Sequence, residues 1–285
     1  MKKCPYCGKE YPDEATVCII DAHPLIDPSK PTVEEAPPVK EEPPPPKPEP
    51  AKDDTHLIWP DYQWSARDAW KCIGILCMLL VVNYAINDVQ YSILPHFYRS
   101  GFGYVCRLFL FFATWIITTC YFARIETLAT FWKGFGLNRR PTHLVWFGIV
   151  MALAMRLFNN FMVNIRGGPL LLNYEIESFR NTIGFERLFF AVPIVLFAPF
   201  FEECIFRGFL YRAFRSSYSV PISMILIVVL TCFTHWWYYS HSLITGVILS
   251  VFAIILCYIR EKSDSLWDCI FCHFAFNASV LFLSP

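Results

Sequence analysis

From about Asp68 onward the chain repeats one pattern, in which long apolar runs alternate with short charged connections. A run that crosses the hydrocarbon core of a bilayer, about 30 Å, needs roughly 20 apolar residues in a helix. Runs of that kind recur near 68–86, 102–123, 143–163, 185–212, 219–237, 242–260 and 266–283. Closed barrels also span membranes, but their strands alternate polar and apolar at every second position. Runs such as VPIVLFAPF and MILIVVLTCF do not alternate. The predicted fold class is therefore all-α, a polytopic membrane helix bundle of about seven spans.

Upstream the pattern changes twice. Residues 1–26 form a small cysteine-bearing module, and residues 27–60 are dominated by Pro, Glu and Lys. The run PTVEEAPPVKEEPPPPKPEPAKDD offers no apolar face to bury, so it reads as a disordered, semi-rigid linker. Residues 61–285 then make up the membrane domain. The N-terminus has no apolar h-region, so no cleavable signal peptide is expected. Acidic and basic residues balance at 24 each, which gives no clustered basic excess for a nucleic-acid partner. The partner implied instead is the lipid bilayer.

Lys and Arg in short loops set membrane orientation. With the N-terminus in the cytoplasm, the inner loops hold Arg124, Lys133, Arg139 and Arg140, then Arg212 and Arg215, then Arg260 and Lys262. The stretch around 164–187 mixes Arg166, Arg180 and Arg187 with Glu175, Glu177 and Glu186. The expected location is the cell membrane, multi-pass, with a cytoplasmic N-terminus.

Three of the twelve cysteines lie in CPYCGKEYPDEATVC. Cys4 and Cys7 have the knuckle spacing that points two thiolates at one ion, and Pro5 and Gly8 suit the turn. Cys18 supplies a third ligand. A fourth would be Asp21, in the broken second knuckle Cys18-Ile-Ile-Asp21, or His23, and the sequence does not choose. The expected cofactor is a structural zinc in a zinc-ribbon-like module. The other cysteines read as small buried apolar residues.

The chemistry is carried by charges inside apolar runs. An Asp, Arg or Lys at mid-membrane costs roughly 2.5–3.5 kcal/mol on insertion scales, so such groups face a bundle interior or a wet cavity. The fourth span contains Glu202 and Glu203, with Arg207 one turn after Glu203 at the i,i+4 spacing of an ion pair. Glu202 has no such partner, and a carboxyl in an apolar pocket is a candidate general base. His235 falls in the fifth span, and His273 and Asn277 share one helix face in the last. A single histidine on an apolar helix is more often a satisfied core residue. Four such groups on three segments point to a site.

These residues resemble the CAAX prenyl endopeptidase and bacteriocin-processing intramembrane protease family. Glu202, Glu203 and Arg207 match its Glu-Glu-x-x-x-Arg motif, followed by the usual Gly208, and His273 with Asn277 match its His-x-x-x-Asn motif. FGLNRRP and SLWDCIFCH also look like the family's. The second motif, Phe-x-x-x-His, is less regular: His235 has Thr231 at the Phe position, while Trp237 and His241 give another register. We prefer His235, which lies inside the apolar run. The resemblance covers roughly residues 130–285.

The resemblance implies that Glu202 and His235 activate a water to attack a peptide carbonyl. It implies that His273 and Asn277 donate to the oxyanion, and that Glu203 and Arg207 hold the pocket's charge. A metal in this site is left open, because two His and a Glu could hold zinc, but the His-Glu-x-x-His spacing is missing. The alternative function is a non-catalytic scaffold or bacteriocin-immunity protein. The implied partners are a peptide or protein substrate, prenylated or a leader peptide, and an unknown cytosolic partner of the N-terminal module.

Overall fold

The computed structural model describes residues 1–20, 22, 24–25, 64–166 and 174–283. The linker expected at 27–60 lies outside them, as do Asp21 and His23. The chain divides into two compact units, Met1–Asp54 and Thr55–Pro285.

The first unit is built on a two-stranded antiparallel ribbon, β1 (Lys2–Lys3) and β2 (Glu10–Tyr11), in register Lys2 to Tyr11 and Lys3 to Glu10. The turn between them carries the Cys4-x2-Cys7 knuckle. It is closed by Gly8 N–H donating to the Cys4 carbonyl at 3.0 Å and Cys4 N–H donating to the Lys9 carbonyl at 3.0 Å.

The second unit is a helix bundle. Its helices are α1 (Ala66–Ile93), α2 (Pro95–Arg99), α3 (Gly101–Phe122), α4 (Leu128–Phe135), α5 (Leu144–Arg166), α6 (Tyr174–Asn181) and α7 (Gly184–Arg215). They are followed by α8 (Val220–Thr234), α9 (Trp236–His241), α10 (Leu243–Lys262) and α11 (Trp267–Phe282). Five of them, α1, α3, α5, α7 and α10, are long and apolar enough to cross a membrane. At about 1.5 Å per residue, the 15 residues of α8 and 16 of α11 reach only most of the way. Each of the seven expected spans coincides with one of these seven helices, and the short α2, α4, α6 and α9 lie between them.

Local chemistry sets several boundaries. Ser65 caps α1 in a reciprocal capping box with Asp68, and Thr127 does the same for α4 with Thr130. Ser242 caps α10 by accepting from Thr245 N–H. α4 ends at Gly136 with φ +78, where an added Cβ would stand 2.4 Å from the Asp264 carbonyl. Only glycine suits both the left-handed backbone and that approach. Along the bundle α5 runs beside α11 so closely that a Cβ on Gly148 would meet the Cys272 sulfur at 1.9 Å.

The charged residues expected in loops are buried to a surprising extent at the α4, α7 and α10 ends. Arg260 is fully buried and donates to the carbonyls of Arg207 at 3.3 Å and Phe135 at 3.3 Å. Asp268 is also fully buried; it accepts from Thr142 N–H and Thr142 Oγ1, each at 2.7 Å, and from Ser263 Oγ at 2.6 Å. Trp267 Nε1 donates to the Leu137 carbonyl at 2.8 Å. The FGLNRRP and SLWD segments thus hold one another, fixing the start of α11 against the start of α5.

Candidate active site

α7 places the two glutamates on different sides of one turn. Successive residues of a helix are about 100° apart, so Glu203 faces the bundle while Glu202 faces its edge. Glu203 is fully buried, and its Oε1 accepts from His273 Nδ1 at 2.8 Å and from Arg207 Nη1 at 3.1 Å. Arg207, also buried, donates through Nη2 to the Ala253 carbonyl of α10 at 3.2 Å. An ionised carboxylate only accepts, so His273 carries its hydrogen on Nδ1 and turns Nε2 away from Glu203. Phe252 packs its ring edge-on against the same imidazole, with centroids 5.7 Å apart.

Glu202 is half-buried, and its Oε2 lies 4.0 Å from His235 Nε2. His235 terminates α8: its φ of −108 and ψ of 27 leave the helix, and α9 starts one residue later. The last turn of α8 prepares that break, because Thr231 and Thr234 bond their hydroxyls back to the carbonyls of Ile227 and Leu230. The His235 ring is anchored through Nδ1, 3.1 Å from the Thr231 carbonyl and 3.1 Å from Thr234 Oγ1. A carbonyl accepts only, so the hydrogen is on Nδ1, and Nε2 is the ring nitrogen that faces Glu202. His241, at the end of α9, is exposed, with Nδ1 beside Ser240 Oγ at 2.9 Å.

Asn277 lies one turn beyond His273 on α11. Its Nδ2 donates to the Ile194 carbonyl of α7 at 2.9 Å. Ile194 falls in Pro193–Phe197, a stretch wound as π-helix, and a second such stretch, Cys204–Leu210, follows the glutamates. Wide turns of this kind concentrate at functional sites. Pro193 opens the first of these stretches and Pro199 follows it two residues after its end. The Ala253 carbonyl, which accepts from Arg207, is a backbone group that a hydropathy pattern cannot single out.

The structure therefore brings together Glu202 with His235, and Glu203 with Arg207 and His273, and ties Asn277 to the same helix. A small apolar cavity of about 20 Å³, lined by Leu76, Leu80, Trp115, Phe206, Leu230 and Phe233 among others, lies between α1, α3, α7 and α8 and contains none of the site residues. A separate cavity of about 490 Å³, lined by Arg99, Glu177, Glu186 and Phe189 among others, contains none of the site residues.

In the N-terminal unit, the ligand atoms of Cys4, Cys7 and Cys18 lie within 4.8 Å of one another, a placement that could hold a metal ion. Cys7 and Cys18 sulfurs are 3.6 Å apart. Tyr11 OH approaches the Cys18 sulfur at 3.1 Å, and this hydrogen bond, with burial, pushes the phenol up to about 12. Among the described residues no comparable trio of His, Cys, Asp or Glu ligand atoms gathers in the membrane unit.

A multi-pass helical bundle with carboxylates, histidines and an arginine gathered among its apolar helices defines a class of membrane proteins built around an embedded polar site. Within it, residues 184–279 match the family model described as Type II CAAX prenyl endopeptidase Rce1-like. The matched segment starts with α7 and includes Glu202, Glu203, Arg207, His235, His273 and Asn277. That family is one of endopeptidases. No curated protein and no solved structure matches the chain.

Proposed function

We propose that this protein is an intramembrane endopeptidase of the CAAX type that hydrolyses a peptide bond with a water activated by Glu202 and His235. The observation that carries this reading is the placement of the Glu202 carboxylate 4.0 Å from His235 Nε2 among apolar helices. That separation is too long for a direct hydrogen bond and suits one water donating a hydrogen to each. The water oxygen attacks the scissile carbonyl carbon while its proton passes to Glu202. The tetrahedral oxyanion accepts from His273 Nε2–H and from the remaining amide hydrogen of Asn277. Each such donor contributes about 2.7–4 kcal/mol of barrier lowering in a water-poor site. Glu202 then returns the proton to the leaving amine as the C–N bond breaks.

Donation from His273 Nε2 requires hydrogens on both ring nitrogens. The Glu203 carboxylate opposite Nδ1 holds the ring in place for that donation. We route the step through water and carboxylate because the site's histidine and carboxylate atoms do not converge as a set of metal ligands. The N-terminal unit, with Cys4, Cys7, Cys18 and either Asp21 or His23 as ligands, is proposed to hold a structural zinc. On the Lys/Arg distribution this unit faces the cytoplasm, where it recruits a protein partner.

A prenylated C-terminal peptide is the substrate class we propose, on the strength of the family match over residues 184–279. The test incubates the protein in lipid nanodiscs with a farnesylated peptide, its unmodified counterpart and a leader peptide, with mass spectrometry of the products. Cleavage of the farnesylated peptide alone supports the assignment. Cleavage of the leader peptide alone transfers the enzyme to another substrate class, and no cleavage of any favours a scaffold.

A further inference from the structure

The helix that carries the glutamates is interrupted by a proline at a specific register. In Pro193–Phe197 the backbone bonds run i to i+5, with Ala198 N–H donating to the Pro193 carbonyl. The next bond in that register would run from residue 199 to the Ile194 carbonyl. Residue 199 is Pro, which has no N–H. Ala198 N–H, the donor an α register would offer Ile194, is already engaged by Pro193. The Ile194 carbonyl therefore has no donor on its own helix, and Asn277 Nδ2 supplies one from α11 at 2.9 Å.

This has a geometric consequence for the site. A wide turn carries one residue more than an α turn, so it rotates everything after it by about 100° relative to an unbroken helix. Glu202 and Glu203 come directly after the wide turn and the buried Pro199. Their directions, one toward His235 and the other toward His273, depend on that added rotation.

We propose that Pro199 is a positioning residue. By withholding an N–H it ends the i to i+5 register at Ala198 and leaves the Ile194 carbonyl to Asn277, and this tether sets the rotation of Glu202 and Glu203 against α8 and α11. The proposal rests on the peptidase reading for its catalytic consequence but not for its structural one.

Two measurements separate these. The first is a thermal-unfolding cycle in detergent with Pro199→Ala, Asn277→Ala and the double variant. In the wild-type background Asn277→Ala orphans the Ile194 carbonyl and lowers Tm by about 2–6 °C. In the Pro199→Ala background the new N–H at 199 takes over that carbonyl, and the same change lowers Tm by less than half as much. Equal shifts in both backgrounds overturn the proposal whatever the protein's activity. The second is steady-state cleavage by Pro199→Ala, for which kcat falls at least tenfold with KM within twofold of wild type. Wild-type kcat in a variant that shows the Tm coupling overturns the positioning role. If Glu202→Gln retains activity while the coupling is present, the peptidase site fails and the tether stands.

Discussion

His273 donates through Nδ1 to Glu203 Oε1 across 2.8 Å, joining the last helix to the middle of α7 over 70 positions of sequence. The same oxygen accepts from Arg207, so one buried carboxylate neutralises a guanidinium and orients an imidazole. Breaking a buried pair by removing one member costs about 3–5 kcal/mol, because the other is left as an uncompensated charge.

Glu203→Gln and Arg207→Gln are accordingly each expected to destabilise the folded protein by about 3–5 kcal/mol. The double variant should lose clearly less than the sum. Chemical unfolding in detergent, followed by tryptophan fluorescence, checks this; strictly additive losses would mean that the two side chains do not act as a pair.

His235 and His241 compete for one place in the sequence motif, and the structure sets His235 beside Glu202 while His241 is exposed. We expect His235→Ala to reduce kcat by at least 100-fold, and His241→Ala to leave it within about threefold, general-base contributions being about 10²–10⁴. Kinetics of the two purified variants decide it, and the reverse ranking would move the site to the other register.

Gly136→Ala places a Cβ against the Asp264 carbonyl at a positive φ. The left-handed backbone alone costs a side chain about 1–2 kcal/mol, and the close contact adds to it. A lowered Tm with unchanged KM is expected. An unchanged Tm would show that the junction of the FGLNRRP and SLWD segments tolerates movement.

The N-terminal unit predicts a metal content. Full-length protein should contain one equivalent of zinc by plasma mass spectrometry, and Cys4→Ser or Cys18→Ser should abolish it. Retention of a full equivalent by both variants would place the metal elsewhere.

Much of this architecture was legible in the sequence because hydropathy over twenty residues reports burial in lipid directly. The seven apolar runs coincide with α1, α3, α5, α7, α8, α10 and α11, and the Glu203–Arg207 pair followed from i,i+4 spacing alone. The Glu203–His273 bond was not legible, since it depends on how α7 and α11 face each other. Nor was the wide turn, because apolar residues at every position of VPIVLFAPF carry no period from which i+5 bonding could be read. The spacing of Asn277 to His273 put the two on one helix face, and the oxyanion role came from the family resemblance; the bond to Ile194 depends on how α11 faces α7.

The most direct test of the central claim compares the new N- and C-termini of membrane and secreted peptides in cells expressing wild-type protein or Glu202→Gln at equal levels. Loss of a defined set of termini in the variant is the predicted result and would name the substrates. Identical profiles, with the wild type folded and present, would contradict a peptidase centred on Glu202.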